Sequence, residues 1–286
     1  MNNSTIIVQS TASIAPGPAA EDPSPTAPYF IKPSGFRPNS LFVGRATELA
    51  DLHRLLFDRR ARAEGSSAVL IQSMPGGGKT HLARQYVYTH RDEFPGGIFW
   101  VRAKSQAELA AGFWDIARKA VFKDQSAATS PDKVKDKDPQ DFIKLVKKWL
   151  NRREGWLMVL DGIHFDDPEG LRRFIPDNPN TSLIYTSTEK SASGDHHFMN
   201  PKLLRLPALS AREAQVLLLK ELDKKEPFSK DDLQNSMELV QSISFLPVVI
   251  HAVARRLRST DEHLGRFAKS YASEPRLRGL ATYIAV

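Results

Sequence analysis

The chain of 286 residues contains no cysteine, which excludes a disulfide framework and any thiolate-held metal. It also lacks an apolar run approaching the ~18 residues that a membrane-spanning helix needs. No basic region precedes an apolar stretch at the N-terminus, so a secretory signal is not expected. These absences predict a cytoplasmic protein with no membrane partner. Its 41% hydrophobic content is that of a soluble globular chain. The net charge is +7 and dispersed; the densest basic run, "ARRLR" at Ala254–Arg258, reads as a solvated helix face, and nucleic acid is not an expected partner.

Residues 1–40 differ from the rest. Five prolines fall between Pro16 and Pro28 among Ala, Ser, Thr and Gly, a composition with too little apolar surface to offset its ordering entropy. A disordered leader is expected there. Within it, Ser4–Thr11 ("STIIVQST") is β-prone, uncharged and free of proline and glycine, the composition of a steric zipper, though a mildly apolar tail reads the same way.

From Leu41 the pattern becomes regular. Helices are expected at Ala46–Leu56, Lys79–His90, Gln106–Val121 and Asp141–Leu150, and buried strands at Ala68–Gln72, Gly97–Ala103, Trp156–Gly162, Thr181–Thr188 and Lys202–Pro207. The charged, proline-flanked stretch Thr129–Gln140 reads as a surface loop. Alternation of strands and helices over 41–208 predicts an α/β three-layer domain with a mostly parallel sheet. Strand signals then stop. Ser210 with Glu213 forms a capping box ahead of a helix, and further helices near 230–243, 247–258 and 261–270 make 209–286 a small all-helical unit.

"IQSMPGGGKTHLARQYV", residues 71–87, nearly spells the phosphate-binding Walker A pattern G-x-x-x-x-G-K-[ST], with Ser73 where the first glycine belongs. A strand running into Gly76, Gly77 and Gly78 and then a helix directs backbone N–H groups at one point, which favours anions. In such a loop Lys79 bridges the β- and γ-phosphates and Thr80 offers its hydroxyl to Mg²⁺. If position 73 needs a positive φ, its serine costs about 1 kcal/mol or somewhat more. The apolar strand "WLMVLD" ends in Asp161, which suits the Mg²⁺ side of the same site.

Several further motifs stand in order: "FVGRATEL" (42–49), "MPGGGKTHLA", "GGIFWVRA", "WLMVLDGI", "LIYTSTEK", "LRLPALSAREAQVLLLK" and "ISFLPVVIHAVARRL". In this ordered set the chain resembles the NB-ARC module of the STAND class of P-loop NTPases, the nucleotide switch of plant resistance proteins, apoptosome-type activators and fungal NOD-like receptors. The resemblance runs from about Leu41 to the C-terminus. It implies a P-loop α/β fold with an ARC-like helical subdomain, ADP or ATP with Mg²⁺ as cofactor, and self-association through a nucleotide-dependent switch. It implies nucleotide contacts from Val43, Arg45, Pro75, Gly76, Gly77, Gly78, Lys79, Thr80, His81 and Pro247, and metal contacts from Thr80 and Asp161. On the residues alone, Pro247 also suits a helix start and Arg45 a pair with Glu48.

The sequence departs from that family at four places. Ser73 replaces a glycine. Gly162 follows Asp161 where a second acid or Asn would align water, with Asp166 and Asp167 on another part of the turn. Thr188 stands where the sensor strand would end in an arginine, and Lys190 is no substitute for a guanidinium fork. The sequence stops about where a winged-helix subdomain would begin, so a chain truncated after the first ARC subdomain is expected. The departures fall on the γ-phosphate and water side. The expectation is a nucleotide-binding signalling switch with weak or no hydrolysis, at most a slow NTPase. A working ATPase or phosphotransferase and a nucleotide-free scaffold are the alternatives.

Overall fold

The computed structural model describes residues 28–58, 66–124, 139–176, 181–243 and 245–273. Six strands form one sheet: β1 (Phe30–Ile31), β2 (Ser66–Gln72), β3 (Gly97–Arg102), β4 (Trp156–Asp161), β5 (Thr181–Ser187) and β6 (Lys202–Arg205), in the order β1-β3-β4-β5-β2-β6. Every neighbouring pair is parallel. The helices of the α/β part are α1 (Ala46–Leu56), α2 (Lys79–Thr89), α3 (Gln106–Ile116), α4 (Pro139–Leu150) and α5 (Pro168–Arg172). After β6 come α6 (Ala211–Glu221), α7 (Lys230–Ser242), α8 (Pro247–Thr260) and α9 (Leu264–Ser273). The α/β sheet and the helical C-terminal part are those the sequence predicts.

The strands are apolar on both faces because helices cover both, as parallel sheets require. Alternate residues divide between two cores. Val69, Ile71, Leu157 and Val159 pack with Leu52 and Leu56 of α1 and Leu82 and Tyr86 of α2. Leu70, Trp156, Met158 and Leu160 pack on the other face with Phe113 of α3 and Val146 of α4. The predicted helix Gln106–Val121 is interrupted: its last turn, Ala117–Val121, widens to a π-helix. A third core joins Leu217 and Leu218 of α6, Leu239 of α7, Ile250 of α8 and Phe267 of α9. Leu41 and Val43 pack against this third core although they precede α1.

The expected leader is too long as assigned. Phe30 and Ile31 add a strand to the sheet edge, in register with Ile98 and Phe99. Phe36 is buried, and the Lys32 ammonium sits among the rings of Phe30, Phe36 and Tyr88 while donating to the Tyr88 hydroxyl at 2.7 Å. Four large apolar residues, Tyr29, Phe30, Ile31 and Phe36, close the stretch and supply the surface that its average composition conceals. The zipper-like segment Ser4–Thr11 and most of the predicted loop 129–140 lie outside the described residues.

Candidate nucleotide site

The loop between β2 and α2 is the turn the motif predicts. The N–H of Gly77 donates to Met74 O at 3.2 Å and that of Leu82 to Gly78 O at 2.9 Å, so the chain enters α2 through a closed turn. Gly76 has φ 73°, in the region that favours glycine. Ser73 does not: among the described non-glycine residues only Arg45, Met199, Asn200, Asp223 and Asp261 have positive φ. The backbone penalty expected at Ser73 is therefore absent. Ser73 is buried, and its hydroxyl donates to Met74 O at 3.2 Å.

Lys79 begins α2, and its ammonium donates to Ser73 O at 2.9 Å and Met74 O at 3.0 Å. Burial holds its pKa below the ordinary lysine value, against the opposing charge of Asp161. The Thr80 hydroxyl donates to Asp161 Oδ1 at 2.7 Å. Thr186 of β5 donates to the same oxygen at 2.6 Å and accepts from the Gly162 N–H at 2.8 Å. A hydroxyl and a carboxylate held together are hard oxygen donors of the kind that suits Mg²⁺. Thr186 was not singled out in the sequence. The signal for it lay in strand pairing, because Thr186 stands in register with Asp161.

A cleft of about 580 Å³ opens above this loop, within the usual range for small-molecule sites. One wall comes from the α/β part: Val43, Arg45, Gly76, Gly77, Gly78, Lys79, Thr80 and His81, with Asn39, Leu41 and Phe42 beside them. The other comes from the helical part: Leu209, Leu217, Glu221, Pro247, Val248 and His251. Of the predicted nucleotide contacts, all but Pro75 line it; Pro75 is exposed and is not part of the lining. Arg45 lines the cleft, but its guanidinium is committed to Glu48 Oε1 and Pro207 O, both at 2.7 Å. Asn39 donates to His81 Nδ1 at 3.2 Å. Desolvation in the cleft and the charges of Arg84 and His251 outweigh Asp161 and hold the His81 pKa below the ordinary value.

The helical part sits directly on the loop. The Val248 N–H lies 3.4 Å from Gly76 O, and a Cβ on Gly76 would stand 2.2 Å from Val248 Cγ1. Of the residues that depart from the motif set, Ser73 lies in the loop itself, and its N–H is 3.4 Å from Ser187 O, one residue before Thr188. Thr188 is exposed, with its carbonyl accepting from Gln72 at 3.0 Å, and Lys190 is exposed. Asp167 caps α5 by accepting from the Gly170 N–H at 3.0 Å, and Asp166 is exposed.

Residues 41–177 match the family model of the AAA ATPase domain. No curated protein matches the chain. Among solved structures, the chain is similar to Cdc6p from Pyrobaculum aerophilum (14% identity, TM-score 0.54, covering 79% of this chain and 66% of that one). It is also similar to the Orc1 protein of Aeropyrum pernix in complex with DNA (14% identity, TM-score 0.51, covering 84% and 67%). A STAND protein with a tetratricopeptide repeat sensor from Pyrococcus horikoshii aligns at 16% identity and TM-score 0.47, covering 81% of this chain and 31% of that one. The chain thus spans about two thirds of the first two and under a third of the last. The α/β part has the P-loop NTPase fold, and over residues 41–177 it is similar to an AAA ATPase domain. Among the described residues no helix is long and apolar enough to cross a membrane.

Proposed function

We propose that the chain is a nucleotide-binding switch module of NB-ARC type that holds ADP or ATP with Mg²⁺ and turns it over slowly or not at all. The observation that carries this reading is the cleft itself. A glycine-rich turn, Lys79 and the Thr80–Asp161 pair form its floor, and the start of α8 forms its lid. The loop N–H groups and Lys79 would hold the phosphates. Thr80 and Asp161 would hold Mg²⁺, which screens phosphate charge when bound. Leu41, Phe42, Val43, Leu209 and Leu217 give an apolar wall suited to a base. Because each unit supplies one wall, ligand binding bears on how the two pack, which is the physical requirement for a switch.

Slow turnover follows from what surrounds Asp161. Its neighbour Gly162 cannot polarise water, and Thr188 is turned to solvent. ADP is expected to bind at least as well as ATP. The match to an AAA ATPase domain favours the second reading, a working ATPase on the same fold. Equilibrium dialysis with labelled ADP and ATP, followed by a turnover assay, separates the two. The variant Lys79→Ala should lose nucleotide binding while keeping the parent's thermal transition. Equal ADP binding by that variant would refute the assignment of the loop.

A further inference from the structure

We infer that His251, aimed by Glu221, is the residue through which the helical part recognises the ribose of the bound nucleotide. The inference rests on the nucleotide reading above and assigns a further part of the ligand.

The starting point is the direction of α8. Its first residue, Pro247, lies over the loop, with Cγ 3.7 Å from where a Cβ on Gly78 would stand. His251 follows four residues later, about 6 Å along the axis and on the same face. That displacement is comparable with the reach from a phosphate to the sugar hydroxyls of one nucleotide. On the facing wall, His81 stands in the first turn of α2, the helix that the loop opens.

Glu221 fixes the ring. His251 Nδ1 donates to Glu221 Oε1 at 2.9 Å. A carboxylate only accepts, so the shared proton belongs to Nδ1, and in the neutral ring Nε2 is left as an acceptor. Glu221 is only 5% exposed, and its second oxygen makes no hydrogen bond; Arg258 lies 3.6 Å from it. A carboxylate buried in this way does not stabilise helix packing better than an apolar side chain of the same volume. Its effect is to hold the His251 ring in one orientation at the cleft wall, while the ring itself stays half exposed.

The chemistry of the cleft leaves the sugar for this pair. Loop N–H groups and Lys79 take the phosphates, Thr80 and Asp161 take the metal, and the Leu and Val side chains face the base. With the Arg45 guanidinium committed to Glu48 and Pro207, the polar groups that remain are the Asn39–His81 and Glu221–His251 pairs, and Asn39 already occupies Nδ1 of His81. Ribose brings two hydroxyl donors, and Nε2 of His251 is an oriented acceptor for one of them.

The test measures ADP, 2′-deoxy-ADP and 3′-deoxy-ADP binding by calorimetry to the full chain and to His251→Phe and Glu221→Leu. The parent should prefer ADP over one deoxy analogue by about tenfold, the worth of one oriented hydrogen bond. His251→Phe should bind all three alike, at the weaker affinity. Glu221→Leu should narrow the preference while leaving affinity for the disfavoured analogue unchanged, which a merely structural role would not do. Equal affinity of the parent for all three ligands, or an unchanged preference in His251→Phe, overturns the inference and leaves nucleotide binding standing. If Glu221→Leu does not fold, the parent and His251→Phe decide the matter. A parent that binds none of the three overturns the nucleotide reading itself.

Discussion

The backbone N–H of Arg45 donates to Glu213 Oε1 at 2.9 Å, joining residues 168 positions apart. The same carboxylate accepts from the Ser210 N–H at 2.8 Å through its other oxygen, which completes the capping box of α6. One side chain thus starts a helix and ties the helical part to the segment ahead of α1. The Arg45 guanidinium reinforces the junction through Pro207 O at 2.7 Å. Its left-handed backbone, φ 62°, costs about 1 kcal/mol, and these hydrogen bonds offset it.

Glu213 should make stability depend on pH. Burial alone would raise its pKa, but the Arg45 N–H, the Ser210 N–H and hydroxyl, and the Arg45 charge together hold it below the ordinary 4.5. Folding therefore favours the charged form. Its contribution is complete above the unfolded value and is lost as pH falls through the folded one. Urea titrations between about pH 5 and pH 3 should show a flatter loss of stability in Glu213→Gln than in the parent. Parallel curves would show that the junction does not depend on this charge.

Gly76→Ala should separate the loop from α8. The new Cβ would stand 2.2 Å from Val248 Cγ1, and φ 73° disfavours any side chain. A loss of about 2–3 kcal/mol is expected, with weaker ADP binding. Val248→Ala removes the closest clashing atom, so the double variant should recover about 1 kcal/mol of that loss. Strictly additive effects in a double-mutant cycle would mean that α8 is not seated on the loop.

Ser73→Gly should leave ADP affinity within about twofold, because no left-handed strain exists at Ser73 to relieve. It should instead lower stability by about 0.5–1 kcal/mol through the greater freedom of the unfolded chain. Calorimetry and a thermal melt on one preparation test both parts. A marked gain in affinity would show that the loop takes another backbone when loaded.

Gly162→Asp should destabilise rather than activate. Gly162 has φ 81°, and a Cβ there would lie 2.9 Å from Lys104 Cγ. The lysine side chain can yield, so the expected cost is mainly the backbone strain of about 1–2 kcal/mol. A turnover assay should show little change. A large rise in rate would place the rate-limiting defect at this one position.

The regular elements were legible because their signals are local. The apolar strands leading to Ser73 and Asp161, the glycine turn, and the pairing of Ser210 with Glu213 are all written within a few residues. The missed features depend on partners distant in sequence. Phe30–Ile31 becomes a strand only against Ile98 and Phe99. Thr186 reaches Asp161 only once β5 lies beside β4. His251 looks like any residue of an amphipathic helix until Glu221 meets it from α6. At Ser73 the reverse holds: the motif position raised the question of a positive φ, and the chain does not adopt one there.

Strand β5 separates the strand that feeds the loop from the strand that ends in Asp161, and Thr186 stands between Ile71 and Asp161 in register with both. The spacing of the metal-side oxygens is therefore a property of hydrogen-bond counting across three strands. A slip of β5 by one residue would put Tyr185 or Ser187 opposite Asp161 and reverse which face each side chain takes. Deep in a sheet such a slip would unmake both cores at once. Insertions and substitutions in the surrounding loops can accumulate without changing the gauge of the site, which the sheet sets as a ruler would.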